Sequence, residues 1–214
     1  EDYNAENQTF ADGKYAMIGT INLDYRSLVH HFENGVCTVC NEAEPAGNIW
    51  TKIELSDIKS TDVIAITMTK GDVTWILNNL NGSSSIPSAI EVTVNGNTMS
   101  YDEVDAVAWN IVSSDAGLTI YVNGTTEKWL YCINDNKGAR VGTNTNNVWV
   151  LDETTGYLKN TSLSPERYLG VYNSADWRTY KLNKGSIQSN IAGQTLSFWK
   201  LNSGETECNH NYES

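Results

Sequence analysis

The sequence predicts an all-β protein, and three observations carry that prediction. Short runs rich in β-branched and aromatic residues recur every ten or so positions between turn signals. Seven Trp and eleven Tyr stand against three Phe, a bias that suits a pleated surface. A weak internal repeat of 39 or 40 residues runs through the second half of the chain.

The strands follow in order. Tyr15–Leu23 reads as a first strand, and Glu42–Asn48 as a linker built around Pro45 and Gly47. Asp62–Met68 is a continuous apolar run. Val73–Leu77 follows, then Ala89–Val94, which ends at the turn pair Asn95-Gly96. Leu118–Val122 runs into a second such pair, Asn123-Gly124. Trp129–Ile133, Tyr168–Tyr172, Trp177–Tyr180 and Leu196–Trp199 complete the set. Ser56–Lys59 is the one helical turn expected.

The repeat sets Trp109 on Trp149, Gly117 on Gly156, Trp129 on Tyr168, Asn134 on Asn173 and Val141 on Tyr180. Phe198–Leu201 echoes the opening strand a third time. A period near 40 holding four short strands is one lobe of a β-trefoil or part of a repetitive closed barrel. Such units bury their hydrophobic faces only against neighbours. The expected organisation is an N-terminal strand and Cys/His segment over 1–47, a barrel or trefoil-like domain over 48–204, and the start of a linker or ribbon over 205–214.

The net charge is −12, of which residues 1–47 hold −6 and the last ten −3, leaving −3 for 48–204. That balance speaks against electrostatic binding to nucleic acid or an anionic membrane. No apolar run approaches the roughly 18 residues of a membrane span. Residue 1 opens no apolar leader, so an export signal is expected to have been removed or to lie outside this sequence.

Chemistry-bearing side chains concentrate at the ends. His30, His31, Cys37 and Cys40 form one segment, and Cys208 and His210 a second. Between residues 41 and 207 there is no His and one Cys, Cys132. Cys132 alternates with aromatic and aliphatic neighbours and reads as a small core hydrophobe. Cys37-Thr-Val-Cys40 fits a zinc knuckle, a disulfide or a dithiol. The acidic surroundings offer no means of lowering a thiol pKa for redox work.

The pattern His30-x-Phe32-x-x-Gly35-Val36-Cys37-x-x-Cys40 resembles a small ribbon of large secreted and cell-surface proteins of anaerobic gut bacteria. The family pattern is Cys-x-His-x-Tyr/Phe, two residues, then Gly-x-Cys-x-x-Cys. This chain departs from it at Leu28, which stands where the first Cys belongs. Cys208-Asn-His210-Asn-Tyr212 resembles the opening of a second ribbon. The resemblance implies an extracellular or surface location, with neighbouring modules of the same polypeptide as partners. It also implies a structural zinc drawing on His30, Cys37, Cys40, Cys208 and His210.

Catalysis is not expected. The acids Asp102, Glu103, Asp105, Asp152, Glu153, Glu166 and Asp176 lie in turn-like segments, where carboxylates ordinarily cap the backbone or face water. Flat aromatics beside polar turn residues suit stacking on a sugar ring. Tyr172, Asp176, Trp177 and Arg178 share one such turn and form the candidate glycan-binding surface. The expectation is a non-catalytic binding module, with a ligand-free structural spacer as the alternative and a glycoside hydrolase as the least favoured reading.

Overall fold

A computed structural model describes residues 48–202 in full, with the backbone of four two-residue strands ahead of them. The chain divides into two units, Pro45–Asn202 and a second made of Glu1–Glu44 with Ser203–Ser214. In the second unit β1 (Tyr3–Asn4) pairs with β2 (Thr9–Phe10). There β3 (Phe32–Glu33) also pairs with β4 (Val36–Cys37). The expected strand Tyr15–Leu23 lies outside the described residues, as do the side chains of His30, Cys37, Cys40, Cys208 and His210.

The first unit is one antiparallel sheet of fifteen strands. Its first members are β5 (Ile49–Ile53), β6 (Ile64–Lys70), β7 (Val73–Leu77), β8 (Ala89–Val92), β9 (Val94–Asn95) and β10 (Thr98–Ser100). Then come β11 (Trp109–Ser114), β12 (Gly117–Val122), β13 (Trp129–Cys132) and β14 (Ala139–Gly142). The last are β15 (Trp149–Asp152), β16 (Tyr157–Asn160), β17 (Arg167–Tyr172), β18 (Asp176–Tyr180) and β19 (Thr195–Leu201). The hydrogen-bonded path runs β18-β17-β16-β15-β12-β11-β6-β19-β5-β10-β9, with β13–β14 branching from β12 and β7–β8 from β6. The all-β class is as the sequence predicts. The sheet is not closed, because β18 and β9 are free ends of the path.

Local chemistry explains the elements. Asn95-Gly96 does turn a hairpin: Asn95 pairs with Thr98, and Gly96 takes φ +59°, the left-handed region that suits glycine. The expected helical turn appears as a single 3-10 turn over Leu55–Asp57, and one short helix, α1 (Val104–Val107), was not foreseen. The continuous apolar run of β6 reflects burial on both faces. Ile64, Ile66 and Met68 enter the larger core, and Ala65 the smaller one.

The repeat is visible in three dimensions. Trp109 and Trp149 each open a strand and are fully buried. Their indole N–H groups donate to the carbonyls of Leu77 and Leu130 at 3.2 and 2.9 Å. Leu77 and Leu130 sit on the first strands of the branching hairpins β7–β8 and β13–β14. Gly117 is required by packing: a Cβ there would meet the Trp149 carbonyl at 2.6 Å, at φ +130°.

Two alignments made from sequence need correction. Leu130 pairs with Val141, and Leu169 with Thr179, so Val141 corresponds to Thr179 and not to Tyr180. The β17–β18 turn is one residue shorter than its β13–β14 counterpart. The third echo also slips. On β19 it is Phe198 that joins the larger core, while Trp199 lies on the opposite face in the smaller cluster with Trp50 and Met99.

Candidate functional site

The turn Tyr172–Arg178 is not the stacking surface expected from sequence. The register shift aligns Trp177 with Ala139, a buried residue, instead of with the β13–β14 loop. Since strand side chains alternate, one residue of slip moves a side chain to the other face. Trp177 is accordingly 0% exposed, and its indole donates to the Ile76 carbonyl at 3.2 Å. Its backbone N–H donates to the Pro87 carbonyl at 2.8 Å.

The remaining residues of that turn satisfy one another. The Arg178 Nε and Nη2 donate to the two Asp176 oxygens at 2.5 and 3.1 Å. Its guanidinium lies 4.0 Å from the Tyr172 ring centroid. The Asp176 hydrogen bond holds the Arg178 pKa above its ordinary value. A guanidinium already paired and stacked has little left for a ligand. The device braces the turn.

The other sequence-level candidates also find structural partners. Asp152 accepts from the Tyr168 hydroxyl at 2.9 Å and from the Thr154 N–H at 3.0 Å. Glu166 pairs with Lys159 at 3.0 Å. Cys132 is fully buried with its Sγ 3.1 Å from the Thr179 hydroxyl, and burial pushes its thiol up to about 11. It is therefore a protonated, unreactive thiol at neutral pH. Among the described residues, no group of three or more His, Cys, Asp or Glu side chains is placed to hold a metal ion.

A different surface has the character sought. Tyr121 on β12 and Trp129 on β13 form a cross-strand pair, both half-buried. Their rings meet edge to face, centroids 5.9 Å apart at 89°. The Trp129 indole N–H donates to the Asn144 carbonyl at 2.6 Å, which fixes the ring. Beside Tyr121 lies a hollow of about 440 Å³ lined by Ser60, Asn110, Val112 and Gly124–Thr126. Val112 is 38% exposed there.

The polypeptide between these aromatics is the turn Asn123–Lys128. Asn123 and Lys128 of this turn also line a crevice of about 580 Å³. Its lining includes Asn79, Ser83, Asp105, Asn123, Lys128 and Thr143, over Val122 and Val141. Leu80, 69% exposed, also borders it.

Sequence reasoning placed the candidate surface at Tyr172–Arg178 and did not single out Tyr121 or Trp129. The signal was nevertheless present. In Leu118-Thr-Ile-Tyr-Val122 the buried positions are Leu118 and Ile120, so Tyr121 falls on the other face. The seven residues that follow it include Thr125, Thr126, Glu127 and Lys128, a polar turn between two aromatics.

Comparison with known families, curated proteins and solved structures finds no match to this chain.

Proposed function

We propose that this chain is a non-catalytic, glycan-binding module of an extracellular or surface protein, and that Pro45–Asn202 is a β-trefoil-like domain. The observation that carries the binding reading is the half-exposed Tyr121–Trp129 pair beside a polar hollow. An aromatic face offers apolar contact to a sugar ring, and adjacent hydroxyl and amide groups offer hydrogen bonds to its hydroxyls.

The trefoil-like reading rests on a recurrent unit of two strands followed by a hairpin. It occurs as β11–β12 with β13–β14, and as β15–β16 with β17–β18. A third, circularly permuted unit is β19–β6 with β7–β8. Six strands, β16-β15-β12-β11-β6-β19, are consecutive in the sheet. From β16 the Tyr157 side chain reaches the segment that leads into β19. The Tyr157 hydroxyl donates to the Ile191 carbonyl at 2.7 Å and accepts from the Gln194 N–H at 2.9 Å.

The non-catalytic reading rests on the absence of His from residues 41–207 and on the structural partners of Asp152, Glu166 and Asp176. The ribbon-like segment adds a structural zinc to the proposal. His30, Cys37 and Cys40 supply three nitrogen and sulfur donors, and a tetrahedral site is completed by Cys208 or His210.

One aromatic–sugar contact contributes about 1–2 kcal/mol, by analogy with other aromatic contacts. Binding by one module is then weak, and tandem modules raise it through effective concentration. The test is retention of the full chain on an array of plant, host and microbial glycans. Trp129→Ala should abolish that retention while shifting the melting temperature by only a few degrees. Failure of the parent chain to bind any glycan would leave the spacer reading in its place.

A further inference from the structure

We infer that the Asn79–Thr143 crevice continues the Tyr121–Trp129 platform, so that the ligand is an extended, uncharged glycan chain crossing the Asn123–Lys128 turn. This rests on the glycan reading above and specifies its ligand.

The covalent geometry links the two hollows. Tyr121 borders one and Val122 the other, because successive strand residues face opposite sides. The turn itself continues the division. Gly124–Thr126 line the first hollow, and Asn123 and Lys128 line the second. The Asn123–Lys128 turn is thus the one segment that lines both hollows, and a ligand that occupies both crosses it.

The crevice holds hydrogen-bonding capacity that the protein does not use. The side chains of Ser83, Asp105, Asn123, Lys128 and Thr143 make no hydrogen bond to another described residue. Asn79 is the sharper case, being only 6% exposed. Its Nδ2 donates to the carbonyls of Asp105 and Ala108 at 2.9 and 3.0 Å. Its Oδ1 accepts from no described residue and is not one of the buried unpaired atoms, so it is open to a donor from outside the protein. A ligand hydroxyl in the crevice supplies that donor. Val122 and Val141 provide apolar surface beneath, and Leu80 at the margin adds more. Mixed polar and apolar lining of this kind matches a sugar, which has hydroxyl edges and apolar faces.

Charge selects against a polyanion. The crevice brings one acid, Asp105, together with one base, Lys128. The surrounding chain from 48 to 204 sums to −3. No positive field gathers an anionic polymer. Each hollow by itself has the volume of an ordinary small-ligand site.

The experiment uses the full 214-residue chain and neutral gluco-, manno- and xylo-oligosaccharides from disaccharide to hexasaccharide, titrated by calorimetry and by amide NMR. For the oligosaccharide type bound, affinity should rise by about tenfold from the shortest to the longest. The hexasaccharide should shift amides at both Thr126 and Thr143, and the disaccharide only the former. Thr143→Trp, at an exposed position, should fill the crevice and cut the length gain to below about threefold while leaving disaccharide binding unchanged. Lys128→Ala, also exposed, should reduce the gain without obstructing the crevice. Length-independent binding that still requires Trp129 overturns the extended site and leaves the glycan reading standing. No binding at any length overturns both.

Discussion

Replacing Trp177 by Ala separates a core tryptophan from a binding one. The side chain is 0% exposed within the larger core, so truncation removes its packing and leaves a cavity. Large-to-small changes at Trp or Phe cost about 3–5 kcal/mol. The Ile76 carbonyl also loses the indole donor that meets it at 3.2 Å. An unsatisfied buried acceptor costs about 1–3 kcal/mol, partly overlapping with the cavity cost. A total near 5 kcal/mol is comparable with the whole stability of a marginal domain. In a unit of this size, each kcal/mol is worth about 2–4 °C, so the melting temperature should fall by about 10–20 °C. Calorimetry and urea denaturation followed by near-ultraviolet circular dichroism read this directly. Trp177→Phe retains most of the volume and should recover most of the loss. Trp129→Ala, at a half-exposed site, should cost about 1 kcal/mol, as ordinary substitutions do. A Trp177→Ala protein melting within about 3 °C of its parent would refute the register that places this residue inside.

Three further outcomes can be tested, two from the structure and one from the sequence motif. Arg167 is 4% exposed and donates to Asn134 Oδ1 at 3.1 Å, Asn136 Oδ1 at 2.8 Å and the Thr179 carbonyl at 3.3 Å. Asn134→Ala should therefore destabilise by about 1.5–3 kcal/mol in denaturant titration, more than an ordinary surface change, because a buried charged donor loses one of its three acceptors. Asp62 and Asp152 both have lowered pKa values: burial raises each, but hydrogen bonds and nearby lysines more than offset it. Lys200 lies 2.8 Å from Asp62, and the Tyr168 hydroxyl 2.9 Å from Asp152. Their stabilisation is present above about pH 4 and lost as pH falls through the lowered folded values, so Asp62→Asn should flatten the acid limb of a stability–pH curve. For the ribbon-like segment, elemental analysis should find one zinc per chain, lost in Cys37→Ser; no zinc together with two fewer titratable thiols would mean a Cys37–Cys40 disulfide.

The particular residues show where sequence information ends. Many of the strands, the Asn95-Gly96 hairpin, the buried Cys132 and the paired roles of Trp109 and Trp149 were legible, because each depends on alternation, turn chemistry or a repeat running along the chain; β5, β10, β14 and β16, which no expected run covers, were not. The candidate site was misplaced by one residue of register. A repeat offset of 39 sets Trp177 against Gly138 in a loop, whereas the shorter β17–β18 turn sets it against the buried Ala139.

Composition and local pattern by themselves determined an all-β chain with little catalytic equipment between its ends. They also put Tyr121 on the face opposite Leu118 and Ile120, which are buried. Only the tertiary structure decided which aromatics remain accessible, since that depends on what crosses over them from distant segments. Trp129 and Tyr168 occupy matching strand positions, yet one is half-exposed and the other buried. Likewise, Arg178 becomes a brace only because Tyr172 and Asp176 fold back onto it around residues 173 and 174, which both take positive φ. Exposure is a property of neighbours brought together by long-range pairing, and no period in the sequence encodes it.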